Sequence, residues 1–335
     1  TLERRVALNI IGPHWEGNQV WGVLGGGAVF AAFPLLYATA FSGFYVVMAL
    51  LLWSMILRPL GFEYRGKLPS PAWRNLWDWA LFVSGLVPMV IFGAAFGNLF
   101  EGVPFHFSWN LTSTYTGSFL GLLNPFAILC GLLSASLAVF MGSVTVMNGA
   151  EGIVYDRART SARWSSLLAI VLFAIGGLWV HGMQGYVLTS GPGAGVAQTP
   201  LQQTVSLTAG AWLANFHVHA RLWLLPVLGF AGMLLGWLAA RAGRSHLAWW
   251  LGALAWVGVI GTAGAALFPF LLPSSSVPAQ SLTVWNSSSS QLTLMWMLGF
   301  AAVFVPLIVW YTSWAFYVMR GKVKADDIAA DEHAY

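Results

Sequence analysis

Charge is scarce in this chain of 335 residues. Only 8% of them are Asp, Glu, Lys or Arg, whereas 58% are hydrophobic; an ordinary soluble domain carries about a quarter charged residues. That composition excludes a water-soluble globule and points to a chain built for lipid. Lys and Arg exceed Asp and Glu to give a net charge of +4. They stand singly between apolar blocks, form no patch suited to a phosphate backbone, and so exclude nucleic acid as a partner. Cysteine is nearly absent. Cys130 is the single one, inside the apolar stretch 126–140, which rules out an internal disulfide and a cysteine metal cluster; it reads as a small buried hydrophobe. There is no Walker A loop, no glycine-rich dinucleotide fingerprint and no HExxH, so soluble-type enzyme chemistry is not encoded. The opening residues TLERR include no initiator methionine and no signal-like progression. They read as the middle of a loop, with a preceding segment expected.

What the chain does have is long apolar runs. A helix needs about 20 mostly apolar residues to cross a hydrocarbon core of roughly 30 Å, and eight runs qualify: 20–37, 41–57, 79–100, 122–147, 165–188, 222–240, 247–272 and 292–319. An open backbone in lipid leaves polar groups unsatisfied, so all eight are expected to be helices and the fold class is all-α, polytopic and membrane-embedded. The basic residues sort by loop. Arg4 and Arg5 precede the first run; Arg58, Arg65, Lys67 and Arg74 lie between the second and third; Arg157, Arg159 and Arg163 between the fourth and fifth; Arg241 and Arg244 between the sixth and seventh; Arg320, Lys322 and Lys324 after the eighth. Only Arg221 falls in the alternate loops. By the positive-inside rule, both visible ends are cytoplasmic. The opposite loops, 101–121, 189–220 and 273–291, are long and rich in Ser, Thr, Gly and Pro, as an ordered outer cap would be. Many of the 19 tryptophans stand near run ends (Trp15, Trp21, Trp77, Trp79, Trp164, Trp212, Trp314), where interfacial belts form. Gly93 with Gly97, and Gly232 with Gly236, have the spacing that lets helix backbones approach, either within the chain or at a partner.

Histidine raises the question of haem. Only His181 falls clearly within a run; His14, His106, His217, His219, His246 and His333 lie in loops or at run edges. A six-coordinate haem needs two axial ligands on facing helices, and Met183, two residues from His181, points to a different helical face. His217 and His219 could chelate a metal from a strand, but with no carboxylate or cysteine to complete a set, a solvated pair is the better reading.

The stretch PHWEGNQVW (13–21) concentrates polar groups ahead of the first run. Proline is tolerated at the first helical position, and a helix over 13–37 would be about 37 Å long, more than the core. The surplus places His14, Glu16, Asn18 and Gln19 at the cytoplasmic interface. By periodicity His14, Asn18 and Trp21 share one stripe, and Glu16, Gln19 and Val20 another. Glu16 reads either as a partner for the helix dipole, worth about 0.3–1 kcal/mol, or as a proton acceptor at the mouth of a hydrated path. Spacing leaves both readings standing. Arg58 beside Pro59, and Asp78 at the start of the third run, carry the same duality.

Several stretches, taken in order, resemble subunit II of the cytochrome bd quinol oxidases: PHWEGNQVW (13–21), AFSGFY (40–45), RPLGF (58–62), WRNLWDW (73–79), AFGNL (95–99), LNPF (123–126), FPF (268–270) with PSS (273–275), and SQLT (290–293). The resemblance implies two four-helix bundles plus a final helix. The first bundle would span about 1–121 without its first helix, which precedes this sequence; the second would span about 122–272, the final helix 292–319 and a cytoplasmic tail 320–335. It also implies a haem-bearing partner, subunit I, that carries haem b and haem d and oxidises quinol, while this chain supplies no haem ligand. Small single-helix subunits, lipid and a structural quinone are further partners that it allows, in a bacterial cytoplasmic membrane.

Carried over by residue, Glu16 takes the acidic position of the HW-acid-GNQ motif as a proton-path group, with His14, Asn18, Gln19, Arg58, Asp78 and Asn98 as further polar positions. Trp21 takes a place near the oxygen entry of some members. Two other readings compete on the residues alone: a secondary transporter, which needs a polar site at the membrane midplane where this chain's polar cluster lies at one face, and a purely structural partner subunit that binds quinone or lipid.

Overall fold

The structure, a computed structural model, describes residues 2–13, 15–191, 198–319 and 321–323, with residues 15, 16 and 18 described by their backbone alone. Its helices are α1 (Leu2–Ile11), α2 (Trp15–Ala32), α3 (Pro34–Gly43), α4 (Tyr45–Tyr64), α5 (Pro71–Glu101), α6 (Pro125–Gly149), α7 (Gly152–Gly182), α8 (Ala214–Val218), α9 (Leu224–Arg241), α10 (Ser245–Leu267), α11 (Val284–Ser287) and α12 (Gln291–Val318). Three short antiparallel pairs join β1 (Phe105–Phe107) to β2 (Ser113–Tyr115), β3 (Gln184–Ser190) to β4 (Thr204–Ala209), and β5 (Phe270–Leu272) to β6 (Leu282–Thr283).

Among the described residues, seven helices are long and apolar enough to cross a membrane: α4, α5, α6, α7, the 220–241 helix that contains α9, α10 and α12. The first expected run, 20–37, is not one helix. Pro34 is the cause: the residue before a proline is driven out of the helical region, and Phe33 takes φ −134° and ψ 64°. The chain restarts at Pro34 as α3. Near the break the Ala32 carbonyl accepts from the Ser289 N–H at 2.8 Å, so the backbone stays satisfied as an apolar environment requires.

Two other runs overran their helices. The run 165–188 ends as helix at Gly182, and 184–188 belong to β3; the run 247–272 ends at Leu267, after which Phe268 precedes Pro269 and 270–272 form β5. At the other end the residues after Thr1, expected in a loop, form α1, which buries Val6 and Ile10.

α6 is the most buried of the spans. It packs on α7 and α10, α9 packs on both α7 and α10, and the four close a ring. α5 lies against α6, and α4 against α5. Where these helices cross, glycines let backbones touch. A Cβ at Gly97 would stand 2.5 Å from the Ala127 Cα, one at Gly93 would strike the Cys130 carbonyl, and one at Gly258 would strike the Gly229 backbone. The Gly93/Gly97 and Gly232/Gly236 spacings therefore serve crossings within the chain. α12 differs, with no buried residue.

Among the described residues, the expected cap interlocks. Val103 N–H donates to Pro273 O at 2.9 Å and Ser275 N–H to Val103 O at 3.0 Å. Gln280 bonds both backbone groups of Phe107, accepting at 2.6 Å and donating at 3.1 Å. Beneath lie Val103, Phe105, Phe107, Leu272 and Leu282, packed on Leu35, Leu36 and Phe44. Trp212, expected in an interfacial belt, is instead 1% exposed in an aromatic cluster with Phe100, Tyr186 and Phe270.

Gly258→Val should force α9 and α10 apart, at a cost of about 1–3 kcal/mol for an overpacked site, whereas Gly264→Ala, with nothing near its added Cβ, should cost little. Thermal denaturation of the purified protein, comparing the two variants, checks this.

Candidate functional site

The polar positions singled out in the sequence fall into separate groups. His14 lies outside the described residues, and so do the side chains of Glu16 and Asn18, whose backbone belongs to the first turn of α2. One turn on from Glu16, the amide oxygen of Gln19 is buried and has no hydrogen-bond partner among the described residues. A buried polar atom normally has one. Trp21 is 37% exposed on the same helix.

Arg58 lies within α4, beside Pro59, and reaches α5. Its guanidinium donates to the Ser84 carbonyl at 2.7 Å. In an unbroken helix that carbonyl would accept from residue 88, but residue 88 is a proline without an N–H. Arg58 thus satisfies the backbone group that Pro88 leaves free. This is more than placement on a basic face, and it ties α4 to α5 at the kink.

Asp78 is shared by two arginines. Arg65 Nε donates to one carboxylate oxygen at 2.6 Å, and Arg4 Nη1, from α1, to the other at 2.6 Å. The Arg65 side chain is 6% exposed, that of Asp78 19% and that of Arg4 54%. Arg65 is therefore a buried cation whose carboxylate is Asp78, and the pair joins the ends of α4 and α5. Trp73 closes the same turn by donating to Tyr64 O at 2.8 Å, with Trp77 packed against both rings.

Asn98 sits 20 positions after Asp78 on α5, about 30 Å away at 1.5 Å per residue. It is buried, donates to Ala94 O and Leu122 O at 2.8 and 2.9 Å, and accepts from Asn124 at 3.1 Å. Asn124 in turn caps α6 by accepting from Ala127 N–H at 2.6 Å, ahead of Pro125 at the first helical position. This is a clasp between α5 and the start of α6, at the end of the molecule away from Glu16. The structure thus joins Asp78 with Arg65 and Arg4, Arg58 with Ser84, and Asn98 with Asn124. Arg65 and Asn124 did not stand out in the sequence: the arginine read as one of several loop cations, and the capping signal Asn-Pro was the only cue to the other.

A further feature had no counterpart in the sequence reading. Between α5, α6, α7 and α10 lies an apolar cavity of about 410 Å³, lined among others by Met89, Phe96, Phe100, Cys130, Phe173 and Trp256. Cys130, expected to be buried as a small hydrophobe, forms part of its wall. Tyr186 of β3 packs on Phe100 in the cluster beside it. Burial pushes the Tyr186 phenol up to about 12, so the hydroxyl stays protonated at physiological pH.

The described histidines are dispersed over separate elements. Among the described residues no group of three or more His, Cys, Asp or Glu could hold a metal ion. His181, expected inside a span, stands exposed in the last turn of α7; His217 is in the last turn of α8, not on a strand; His246 begins α10. No described histidine lies in the middle of a span, so these residues do not fit two axial haem ligands on facing helices.

Residues 1–319 match the protein family described as Cytochrome bd terminal oxidase subunit II. The chain belongs to that family. It is 46% identical to a probable cytochrome oxidase subunit 2 of Haemophilus influenzae and 44% identical to the cytochrome bd-I ubiquinol oxidase subunit 2 of Escherichia coli K12, in each case over 99% of this chain and 88% of the relative. A cytochrome bd ubiquinol oxidase subunit 2 of Bacillus subtilis is 30% identical over 96% of this chain and 86% of its own length. The fold is also that of a chain in the solved bd oxidase from Geobacillus thermodenitrificans, with a TM-score of 0.66 at 16% identity, covering 96% of this chain and 88% of that one. The subunit II resemblance and the membrane-embedded helical fold are therefore established, and the transporter reading is displaced. Membership of a bd oxidase places the chain in a bacterial membrane complex with a subunit I.

Asp78→Asn would leave Arg65 buried without a carboxylate. Removing one member of a buried pair costs about 3–5 kcal/mol, so this variant should lose the folded subunit at lower temperature than the parent, read as recovery of monodisperse protein after graded heating.

Proposed function

We propose that this chain is the haem-free subunit of a quinol:oxygen oxidoreductase: it covers the haem-bearing subunit I and carries the entry of a proton path toward the site of oxygen reduction. Reduction of dioxygen to water takes four electrons and four protons. If quinol releases its protons on one side and the oxygen site draws from the other, charge separates across the membrane without a pump. A carboxylate on the cytoplasmic rim is suited to the drawing side. The observation that carries this reading is the start of α2: Glu16 in the family motif, followed one turn later by a buried amide oxygen of Gln19 that requires a donor.

The basic connections mark that rim as cytoplasmic. His14, Asn18 and Gln19 would orient water beside Glu16. Asp78, held between two cations, and Arg58, tied to the Ser84 carbonyl, would support the path by fixing the α4–α5 hairpin. Asn98 would act at the opposite end, as a clasp. Trp21 stays the candidate for oxygen entry. The partner face is assigned to α2, where a Cβ added at Gly22, Gly25 or Gly26 would meet nothing within 4 Å among the described residues and Val20 and Val23 are 59% and 72% exposed. Haem b and haem d would be held by the partner, and small single-helix subunits would join it.

A second role has its own support. The apolar cavity between α5, α6, α7 and α10 is of the size and character that takes a lipid tail or the isoprenoid chain of a structural quinone.

Glu16→Gln should slow oxygen consumption by the assembled oxidase by about 10²-fold or more, the scale of a lost proton-transfer group, while Glu16→Asp retains most of it and the haem spectra of both match the parent. Unchanged consumption in Glu16→Ala would remove the role. In a reduced-minus-oxidised spectrum, the b and d bands should follow the partner subunit and be absent from this chain purified alone.

A further inference from the structure

α2 has little to hold it within its own chain. It packs chiefly on α3 and α12, and its glycines meet nothing. Among the described residues, its start is reached from the element before it. That element is α1, which lies across the two halves of the molecule. Neighbouring residues on a helix point about 100° apart, so Glu3 and Arg4 leave α1 in different directions. Arg4 donates to Asp78 of α5 at 2.6 Å, where Arg65 of α4 holds the same carboxylate. Glu3 accepts from Arg157 of α7 at 2.7 Å.

Between these anchors an apolar contact closes the gap. Val6 and Ile10 bury against Ala150, and a Cβ at Gly149 would stand 2.9 Å from the Ile10 side chain. The segment after α12 seals the same place: Val323 N–H donates to Gly149 O at 2.9 Å and Lys322 pairs with Glu151 at 3.2 Å. Only Gly12, Pro13 and His14 separate this pinned helix from the first residue of α2.

We propose that α1 is a strap, pinned by Arg4 to the α4–α5 hairpin and by Glu3 to α7, that fixes where α2 begins and so positions Glu16. Arg4, Glu3 and Arg157 are then positioning residues. The clause on Glu16 rests on the proton-entry reading; the clause on α2 does not. The two anchors differ in strength. The Glu3–Arg157 pair is exposed and weak alone, whereas Arg4 joins a carboxylate already engaged by a buried cation.

The test uses the oxidase purified with its partner subunit in nanodiscs, reading amide hydrogen exchange in peptides covering 2–13 and 15–24, together with oxygen consumption and haem spectra. Glu3→Arg, which sets two cations against each other at the α7 anchor, should speed exchange in both peptides roughly fivefold, the size of a lost and reversed surface pair. Adding Arg157→Glu should restore both. Arg4→Gln should speed both peptides as well. Exchange at 15–24 that stays at the parent rate while 2–13 loosens, or a swap that rescues nothing, overturns the strap. If exchange moves and is rescued as expected but oxygen consumption does not change, the strap stands and the proton-entry reading falls. Should Glu3→Arg fail to assemble, Arg157→Gln removes the partner without repulsion and gives the same comparison at a smaller step.

Discussion

Helices in lipid gain nothing by hiding apolar side chains from one another, since the surrounding hydrocarbon is as apolar as they are. Close backbone contact is what remains, and this chain depends on it. The crossings of α5 with α6 and of α9 with α10 occur where glycines leave no side chain between the helices. The ring of α6, α7, α9 and α10 follows from those crossings, and the apolar cavity is the space the ring leaves at the border with α5.

Polar groups act on this packing sparingly and in pairs of purpose. Arg58 repairs the hydrogen-bond ladder that Pro88 interrupts. Asn98 and Asn124 join a helix interior to the cap of the next helix. Asp78 answers a buried arginine and, through Arg4, a segment more than seventy positions away. None of these groups is spare charge. In a chain with 8% charged residues, an ionisable side chain kept near the membrane has work that can be named from its partners.

The sequence made the membrane fold legible because hydropathy reports what lipid demands. The runs at 79–100, 122–147 and 222–240 correspond to α5, α6 and α9 within a few residues at one end or both. It was silent where something other than lipid decides. At 184–188 the apolar run continues but the backbone turns extended, because β4 offers a partner strand. At 20–37 the signal was present in Pro34 and was outweighed by the apolar residues around it. Residues 2–11 are too polar to look like a span, yet they fold on the neutral patch formed by Ala150 and Tyr155. Of the candidate site, the motif at 13–21 could be read directly, whereas the pairing of Asp78 with Arg65 and Arg4 could not, since it depends on which loop ends meet in space. The cavity was invisible for the same reason: its walls come chiefly from four helices whose sequences look like any other span.

The interlocked cap has a consequence for how the molecule is made. Phe107 finds its Gln280 partner, and Phe105 its Ser274 hydroxyl, only across some 170 intervening residues. Until those later residues have been threaded through the membrane, the first hairpin has only water in place of its partners. The far side of the protein is thus completed last, and a ribosome that stops before the final loop leaves an open seam for proteases to find.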